Sequence, residues 1–598
     1  GNPPYHGFAG MAVDEERELS EAYRTTKEVR KPEGQGLNDL YVRFFRMAER
    51  RIAEKTGQGV VCFISNYSWL DGLSFTGMRE RYLEAFDAIR IDCLNGDKYK
   101  TGKVAPDGSP DPSIFSTKGD PIGIQVGTAI ATLVRKRDHK PSESLGFRHL
   151  WGQAKPEELL ATAEAEPAML YSEVRPSLPL GLAFAETAAS ADWFEWPALP
   201  DLLPVSFPGV KTSRDGFLVD TDLDRLRARV GEYFDPARSH EEIARRYPKV
   251  MGSTARFDAR AVRDALVKRG GPDEAGFIRF AYRPFDNRWL YWERDTKLLD
   301  EKRTEYRAHV CEGNMWLEAR EREPTEEFAR GTLVGDLADN FGNGLSSWFP
   351  SWLHDGGLAS DIENERRANL TDQADRYLTR LGLGIEDLFH HTVTTLHDPA
   401  YREANADALR MGWPRIPLPG WPDGEAEGAA EALARSAAQG RCLAALLDSQ
   451  TPVPGVTEAP LRPELAAIAV PATVGGRNMA GNDFAVTGGW GIRAGGDVVM
   501  PGRGRIVERD CTPGESALGD KTLDVHLNAE AFWRNVPTAV WSYRLGGYQV
   551  LKKWLSYRER RVLGRNLRAA EVQHFTDTAR RIGALLIATS NKPDRSST

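Results

Sequence analysis

The sequence has little cysteine and no long apolar run, and both absences limit its class. Its five cysteines lie far apart in 598 residues and form no Cys-x-x-Cys pair, which excludes a zinc-ribbon arrangement and predicts reduced thiols. No stretch approaches the roughly 20 apolar residues that a membrane-spanning helix needs, and no signal peptide is recognisable. The sequence therefore predicts a cytoplasmic protein without a metal site.

The sequence also lacks the loops and clusters that ATP hydrolysis and DNA cleavage require. No Gly-x-Gly-x-x-Gly follows a predicted strand either, so a Gly-rich cofactor loop of that type is also missing from the sequence. The segment 96–104 (GDKYKTGKV) has the wrong spacing for a P-loop, and Val104 stands where Ser or Thr would bind magnesium. No carboxylate–lysine cluster of a nuclease is visible. We therefore expect neither activity from this chain alone.

Net charge is slightly negative, which gives no overall attraction to nucleic acid. The chain has 78 Lys and Arg against 86 Asp and Glu, a net charge of −8 at pH 7. Affinity for phosphate depends on where the cations lie, and the segment 541–569 holds eight basic residues and one acid, Glu559. This pattern is typical either of a DNA-facing surface or of a solvated helix face, and both interpretations stay open.

At 598 residues the chain is too long for one hydrophobic core, and several domains are expected. Composition and periodicity divide it into an α/β part over 1–140, a mixed α+β part over 141–370, a helical segment over 371–450, and a β-rich part with a basic helical tail over 451–598.

The first part alternates helices and strands, which predicts an α/β sheet. The predicted helices span 37–52 and 76–86, and the predicted strands span 59–64, 88–94 and 127–134. A Gly- and Pro-rich loop over 98–126 is long enough to suggest a function.

The tetrapeptide Asn2-Pro3-Pro4-Tyr5 is the segment with the most specific chemistry. The exocyclic amine of adenine is a poor nucleophile, because its lone pair is delocalised into the ring. An Asn oxygen and the following carbonyl can accept both N6 hydrogens and turn the lone pair towards a sulfonium methyl group. The two prolines restrict the backbone φ angles so that these acceptors converge, and the Tyr5 ring offers a surface on which an extruded base can stack. These four residues are the predicted catalytic residues, and a proline-rich turn is the alternative.

This motif and the elements after it resemble the gamma-type family of DNA adenine-N6 methyltransferases. The resemblance implies a Rossmann-like fold, with residues 1–140 as its C-terminal half, and S-adenosyl-L-methionine as methyl donor. It also implies that an aromatic residue in the loop before the last strand packs on the flipped adenine. Phe115 is the matching residue, with ordinary packing as the alternative. The donor-binding loop of this family precedes the tetrapeptide, and the chain begins at Gly1 without Met, so we expect the donor pocket to lie largely upstream.

Beyond residue 140 the sequence resembles the C-terminal specificity region of Type ISP restriction–modification enzymes. The similar segments are 209–215 (GVKTSRD), 282–288 (YRPFDNR), 386–389 with 396–402, 414–417 (PRIP) and 546–555 (GGYQVLKKWL). The resemblance implies double-stranded DNA as a partner, and nuclease and helicase domains upstream in the full-length polypeptide. Basic residues in and near these segments are candidates to contact phosphates or base edges, with internal salt bridges as the alternative: Lys211, Arg214, Arg283, Arg288, Lys552, Lys553 and Arg558.

Three functions stay open on the sequence alone. The first is site-specific DNA adenine methylation. The second is a DNA-binding specificity module without catalysis, because the donor-binding half is not visible. The third is methylation of RNA or protein, since such enzymes also use Asn-Pro-Pro-Tyr, although they are usually more compact than this chain.

Overall fold

The structure is a computed structural model, and it describes residues 1–5, 14–99, 101–162, 170–321, 330–340, 345–354, 366–425, 427–493 and 499–590. These residues form a mixed α/β protein with several sheets, as the sequence predicts. The chain divides into two compact units. One comprises Gly1–Ala189 with Arg410–Gly412, and the other comprises Ser190–Leu409 with Trp413–Thr598. The four-part division by function stays a prediction.

The first unit is built on one five-stranded sheet. Its strands are β1 (Gly59–Asn66), β2 (Ala88–Asn95), β3 (Thr128–Arg135), β4 (Leu145–His149) and β5 (Ser172–Val174). They lie in the order β1-β3-β2-β4-β5, and β3 is antiparallel to both β1 and β2. Strands β1 and β2 therefore run in the same direction, and their carboxyl ends lie at the same edge of the sheet.

In the described part of this unit, the α-helices beside the sheet are α1 (Asp14–Glu21), α2 (Leu40–Glu49), α3 (Thr76–Ala85) and α4 (Lys155–Ala161). The predicted helix over 37–52 is observed as α2 followed by a π-helical stretch, Arg50–Thr56. Gly57 ends it with a φ of 75°, a left-handed conformation that glycine adopts without strain. The three strands predicted in 1–140 are confirmed, and β4 and β5 extend the sheet beyond residue 140.

The core of the first unit is aromatic. Trp69 and Tyr82 are fully buried with ring centroids 5.8 Å apart. The buried Arg79 guanidinium donates to the backbone oxygens of Trp69 at 2.7 Å and Gly181 at 2.8 Å. Because its donors serve backbone carbonyls inside the unit, Arg79 has a structural role.

Two buried carboxylates order the long loop between β2 and β3. Asp97 accepts hydrogen bonds from the N–H groups of Tyr99 at 2.6 Å and Gly127 at 2.7 Å, which join the start of the loop to its end. Asp111 accepts from the Gly96 N–H at 2.7 Å and pairs with the buried ammonium of Lys155 at 2.6 Å. The loop is therefore held by one carboxylate at its start, Asp97, and by one near its middle, Asp111.

The described residues of the second unit form six sheets of two to four strands. Its strands are β6 (Phe207–Pro208), β7 (Val219–Asp220), β8 (Phe277–Arg283), β9 (Asp286–Tyr291), β10 (Trp316–Ala319), β11 (Leu333–Val334), β12 (Leu337–Ala338), β13 (Ser347–Pro350), β14 (Trp352–His354), β15 (Arg366–Ala368), β16 (Val470–Thr473), β17 (Gly491–Arg493), β18 (Val499–Pro501), β19 (Ile506–Asp510), β20 (Lys521–His526), β21 (Ala531–Pro537), β22 (Arg544–Leu545) and β23 (Tyr548–Gln549).

These strands form three four-stranded sheets, in the orders β11-β10-β13-β6, β12-β8-β9-β7 and β16-β21-β20-β19. The pairs β14-β15, β17-β18 and β22-β23 form the two-stranded sheets. Among these described strands, pairing is antiparallel except between β12 and β8. Strands β16 to β23 lie within 451–598, the part predicted to be β-rich.

The helices of the second unit are α5 (Leu199–Leu202), α6 (Asp215–Leu218), α7 (Leu223–Phe234), α8 (His240–Arg246), α9 (Ala259–Arg269), α10 (Thr304–Arg307), α11 (Asp372–Leu381), α12 (Ile385–His397), α13 (Pro399–Ala404), α14 (Ala429–Leu447), α15 (Pro463–Ala466), α16 (Thr538–Ser542), α17 (Val550–Arg558), α18 (Arg560–Leu563) and α19 (Ala569–Ser590). A further short helix spans Ala408–Met411. In the described parts of the chain, every helix is too short or too polar to cross a bilayer.

Helices α12 and α14 lie within 371–450, the segment predicted to be helical, and they meet at a glycine. A Cβ atom built on Gly440 of α14 would lie 1.8 Å from the backbone oxygen of His390 in α12, so the contact requires glycine. His391 and His397 of α12 are buried and bond the backbone oxygens of Pro417 at 2.9 Å and Gly331 at 2.8 Å. These histidines therefore hold loops onto the helix.

Candidate functional site

The predicted catalytic tetrapeptide is attached to the edge of the first unit's sheet through Gly1. The amino group of Gly1 donates to the Cys62 oxygen at 2.7 Å, and the Ile64 N–H donates to the Gly1 oxygen at 3.0 Å. Bonding to residues on either side of Phe63 is the pattern of a parallel neighbour of β1. The chain therefore leaves Gly1 towards the carboxyl edge of the sheet.

Within the tetrapeptide, the side chains of Asn2 and Tyr5 contact each other. Asn2 is exposed and Tyr5 is half-buried, and the Tyr5 hydroxyl donates to Asn2 Oδ1 at 2.9 Å. Burial raises the pKa of Tyr5 to about 12, so the hydroxyl is a donor at neutral pH. Pro3 is buried and Pro4 is exposed. An amine that bonds Asn2 Oδ1 must therefore share or replace the Tyr5 hydroxyl.

Phe115 lies in the loop that follows β2, and this loop leaves the same carboxyl edge. Phe115 is half-buried, and its backbone N–H donates to Ser113 Oγ at 3.3 Å. Ligands of open α/β sheets bind outside the carboxyl ends of the strands. The segments that carry Asn2, Tyr5 and Phe115 therefore start from the edge at which such sheets bind ligands.

In the second unit, three of the five similar segments meet at one cavity of about 570 Å³. Segment 209–215 contributes Lys211, segment 282–288 contributes Arg283, and segment 546–555 contributes Lys553. We call this space the basic cavity. Its lining also includes Tyr282, Tyr548, Tyr557, Asp215, Asp339 and Asn340. The structure thus brings together three predicted DNA-binding residues that are far apart in the sequence.

Cations face the tyrosine rings of the basic cavity. The Arg283 guanidinium lies 4.1 Å from the Tyr282 ring centroid and 5.5 Å from that of Tyr548. The Lys553 ammonium lies 4.8 Å from the Tyr557 ring centroid and 5.3 Å from that of Tyr548. Such contacts hold cations in place because the ring face is electron-rich. The cavity therefore has a preorganised cationic wall.

The carboxylates of the basic cavity are bonded within the wall. Asp339 pairs with Arg283, and burial raises the pKa of Asp339 to about 7, although Arg283 opposes this rise. Asp215 accepts from the Tyr282 hydroxyl at 2.7 Å.

Burial alone would raise the pKa of Tyr557, but the cations Arg283, Lys553 and Arg288 lower it below the usual tyrosine value. The electrostatic potential at the Tyr557 hydroxyl is therefore positive.

Arg288 and Arg558 share one buried carboxylate beside the basic cavity. Asp286 accepts from both terminal nitrogens of Arg558 at 2.7 Å and from Arg288 Nη2 at 2.6 Å. Burial raises the pKa of Asp286, but the two arginines outweigh it and hold the pKa well below the ordinary value. Both arginines are thus committed to an internal ion pair, which is the alternative that the sequence left open. Their predicted DNA contacts stay predictions.

The other two predicted DNA-binding residues differ in exposure. Arg214 is buried, donates to the Leu298 oxygen at 2.9 Å, and lies over the Phe257 ring at 3.4 Å. Lys552 is half-buried on α17, and no hydrogen bond or ion pair of its side chain is found among the described residues. Of these two cations, Lys552 is the more available to an external partner.

Sequence reasoning missed Tyr557 and Asp339 of the basic cavity. Tyr557 follows Lys553 by four residues on α17, and this spacing places both on one helix face. That periodicity was a usable signal. Asp339 directly follows β12 and forms an isolated parallel bridge with Val210. It belongs to no motif, and only the fold brings it to Arg283.

Comparison with known proteins gives a family and a shared fold. Residues 201–582 match the family model of the Type ISP C-terminal specificity domain. No curated protein matches the chain. A solved structure of a nuclease-deletion mutant of the Type ISP restriction-modification enzyme LlaGI, in complex with a DNA substrate mimic, is 16% identical with a TM-score of 0.59. The match covers 99% of this chain and 44% of that one.

Two other solved structures share the fold. The DrdV–DNA complex is 19% identical with a TM-score of 0.59, over 100% of this chain and 57% of that one. The ATP-dependent Type ISP restriction-modification enzyme LlaBIII bound to DNA is 15% identical with a TM-score of 0.61, over 99% and 37%. This chain thus spans 37% to 57% of the length of these three structures. Because the family model matches more than half of its residues, the chain belongs to the Type ISP C-terminal specificity domain family.

Proposed function

We propose that this chain recognises a site in double-stranded DNA and methylates the N6 amine of an adenine there, as the methyltransferase and specificity part of a restriction–modification enzyme. The observation that carries the methylation step is the exposed Asn2 oxygen on a segment that leaves the carboxyl edge of the sheet. Family membership over 201–582 carries the recognition step.

The proposed chemistry assigns Asn2 to the amine. Its Oδ1 accepts an N6 hydrogen in place of the Tyr5 hydroxyl, and the backbone oxygen that follows accepts the other. The amine nitrogen then becomes more pyramidal, and its lone pair points away from the ring. The Tyr5 ring, released from Asn2, stacks on the extruded base, and Phe115 is the candidate for the opposite face. Orientation and electrostatics supply the rate enhancement.

The proposed methyl donor is S-adenosyl-L-methionine, but the described residues at the sheet edge do not fit it. The turn after β1 is closed by the Ser68 N–H, which donates to Asn66 Oδ1 at 2.8 Å. The turn after β2 is closed by the Gly96 N–H, which donates to Asp111 at 2.7 Å. These N–H groups are therefore unavailable to cradle the donor, and we assign no donor contact to this chain.

Recognition of DNA is supported by what the similar structures contain. The LlaGI, DrdV and LlaBIII structures were solved with DNA or a DNA mimic. We propose the Rossmann-like fold for the first unit on its sheet order, in which two strands of one direction flank β3. Strands β1, β2 and β4 run in one direction, as do the strands of such a fold, and the tetrapeptide lies at their carboxyl edge, where these sheets bind ligands.

The test is methylation by the full-length protein with Asn2→Ala and, as the matched variant, Asn2→Asp. A carboxylate accepts hydrogen bonds as the amide oxygen does, so Asn2→Asp should keep part of the activity. Asn2→Ala should lower the rate of N6-methyladenine formation by at least about 100-fold, the scale for loss of one orienting group. Affinity for duplex DNA should stay unchanged in both variants.

Different outcomes separate the remaining alternatives. Near-normal methylation by Asn2→Ala would remove the proposed role of Asn2. Binding of duplex by a wild-type protein that methylates no substrate would favour a specificity module without catalysis. Methylation of RNA or protein in preference to duplex DNA would favour the third function.

A further inference from the structure

The basic cavity of the second unit carries an inference about how DNA is held. Three cations reach it from separate segments: Lys211 at its mouth, with a side chain 53% exposed, and Arg283 and Lys553 deeper in the wall. The Lys211 ammonium lies 3.4 Å from a carboxylate oxygen of Asp300, so a ligand anion shares or replaces this contact. Lys553 also donates to the Val499 oxygen at 3.1 Å, which fixes its ammonium. The cations are therefore positioned before any ligand arrives.

Internal carboxylates do not use all the hydrogen-bonding capacity of this wall. Arg283 pairs with Asp339 through Nη1, yet its buried Nε has no hydrogen-bond partner among the described residues. A buried donor without an acceptor is costly and marks a position for a missing partner. Asp215 is bonded to the hydroxyls of Tyr282 and Thr212, so it does not compete for Arg283.

The ring contacts decide which ligand chemistry fits. Both Arg283 and Arg288 lie 4.1 Å from the Tyr282 ring centroid, and Lys553 lies 4.8 Å from that of Tyr557. Since cations already face these rings, the wall offers charge-assisted donors in preference to a stacking platform. A tetrahedral anion fits such a wall better than a flat base does. The volume of about 570 Å³ lies within the range of small-ligand sites, so a phosphate group with an attached sugar can enter.

We propose that the basic cavity binds a backbone phosphate of duplex DNA, held by Lys211, Arg283 and Lys553. This inference rests on the proposed function, because it takes the phosphate from DNA. A free nucleotide carries the same chemistry, so the experiment includes it as a separate source.

The test is a salt series with the full-length protein and duplex DNA. Wild type is compared with Lys553→Met and with Lys268→Met, which removes an exposed lysine of α9 outside the cavity. Loss of one phosphate contact should reduce the slope of log affinity against log salt by about one unit, for cognate and scrambled duplexes alike. Lys268→Met should keep the wild-type slope. If Lys553→Met does not fold, Lys211→Met at the exposed mouth replaces it.

In a second measurement, lysines of the wild-type protein are acylated with and without duplex DNA, and the extent of labelling at each lysine is measured by mass spectrometry. At a duplex concentration about ten times Kd, about one site in ten stays free, so labelling of Lys553 should fall by about tenfold. Labelling of Lys268 should not change. Adenosine monophosphate and inorganic phosphate are tested separately as free sources.

The outcomes distinguish this inference from the proposed function. Duplex binding with an unchanged salt slope in Lys553→Met and no protection of Lys553 would overturn the inference and leave DNA recognition intact. If the wild type bound no duplex, the proposed function would fail. Protection by adenosine monophosphate alone would then overturn DNA as the source and identify a nucleotide site.

Discussion

Arg558 and Asp286 form a two-point ion pair although they lie 272 positions apart in the sequence, with both terminal nitrogens of the guanidinium 2.7 Å from carboxylate oxygens. The pair joins α17, at the start of the basic tail, to the first residue of β9. Its side chains are only 5% and 2% exposed, so the pair is desolvated. A residue that looks like a DNA contact in the sequence thus holds two distant segments together.

We expect Arg558→Met to destabilise the second unit by about 3 kcal/mol, because it leaves a buried carboxylate with Arg288 as its remaining partner. Urea unfolding measures this. Arg560→Met, two residues further and exposed, is the control and should change stability by less than about 0.5 kcal/mol. Equal losses in the two variants would mean that the buried pair contributes nothing specific.

Substitutions of Tyr5 should separate its ring from its hydroxyl. Tyr5→Phe keeps the ring and removes the hydrogen bond to Asn2, so it should retain methylation. Tyr5→Ala should weaken capture of the extruded adenine by about 1–3 kcal/mol, the value of one stacked base. Fluorescence of 2-aminopurine at the target position reports extrusion. Equal signals from Tyr5→Ala and wild type would exclude stacking on this ring, and Phe115→Ala tests the other candidate in the same way.

Acid should destabilise the second unit through His391. Burial lowers the pKa of this histidine to about 4. Between about pH 6.5 and pH 4 the unfolded chain therefore binds a proton that the folded protein excludes. The contribution of neutral His391 to the free energy of unfolding is fully present above pH 6.5, and it falls by about 3 kcal/mol as the pH decreases through this window. His397, whose pKa burial lowers to about 3, adds in the same direction.

The check is the free energy of unfolding at several pH values for wild type and His391→Gln. A glutamine amide can still donate to the Pro417 oxygen but does not titrate. The variant should lose less stability than wild type between pH 6.5 and pH 4. Parallel pH profiles would show that protonation of His391 does not control the acid response.

Lys552 is the residue of the tail that we expect to contact phosphate outside the basic cavity. It is half-buried, and the structure shows no partner for its ammonium in the described residues. Lys552→Met should weaken binding to all duplexes alike and reduce the salt slope by about one unit. Filter binding with cognate and scrambled duplexes gives both quantities. A full salt slope in this variant would assign Lys552 to a solvated helix face.

The elements of the first unit were predictable because their signals are local. Gly57 ends the helix that begins at Leu40, and apolar runs at 59–64, 88–94 and 127–134 become β1, β2 and β3. Strands β4 and β5 were not predicted, since five and three residues carry too little periodicity.

The candidate sites were only partly predictable. The tetrapeptide is contiguous, so its chemistry can be read directly, whereas the bond between Tyr5 and Asn2 depends on the conformation. The basic cavity requires residues from three distant segments. Sequence cannot tell an arginine that faces DNA from one that neutralises a buried carboxylate, because both uses favour the same side chain. Arg288 and Arg558 illustrate this ambiguity.

The ion pair between Arg558 and Asp286 also bears on how such a protein can be re-engineered. An exchange of C-terminal segments with a relative, with a junction anywhere from residue 300 to 540, would place Asp286 and Arg558 in segments from different parents. The His574 ring, which bonds the Phe285 oxygen at 2.8 Å, would cross the same junction. A hybrid designed to alter site preference should therefore take residues 277–291 and 550–590 from the same parent. Otherwise the recipient must carry residues that pair with each other at positions 286 and 558.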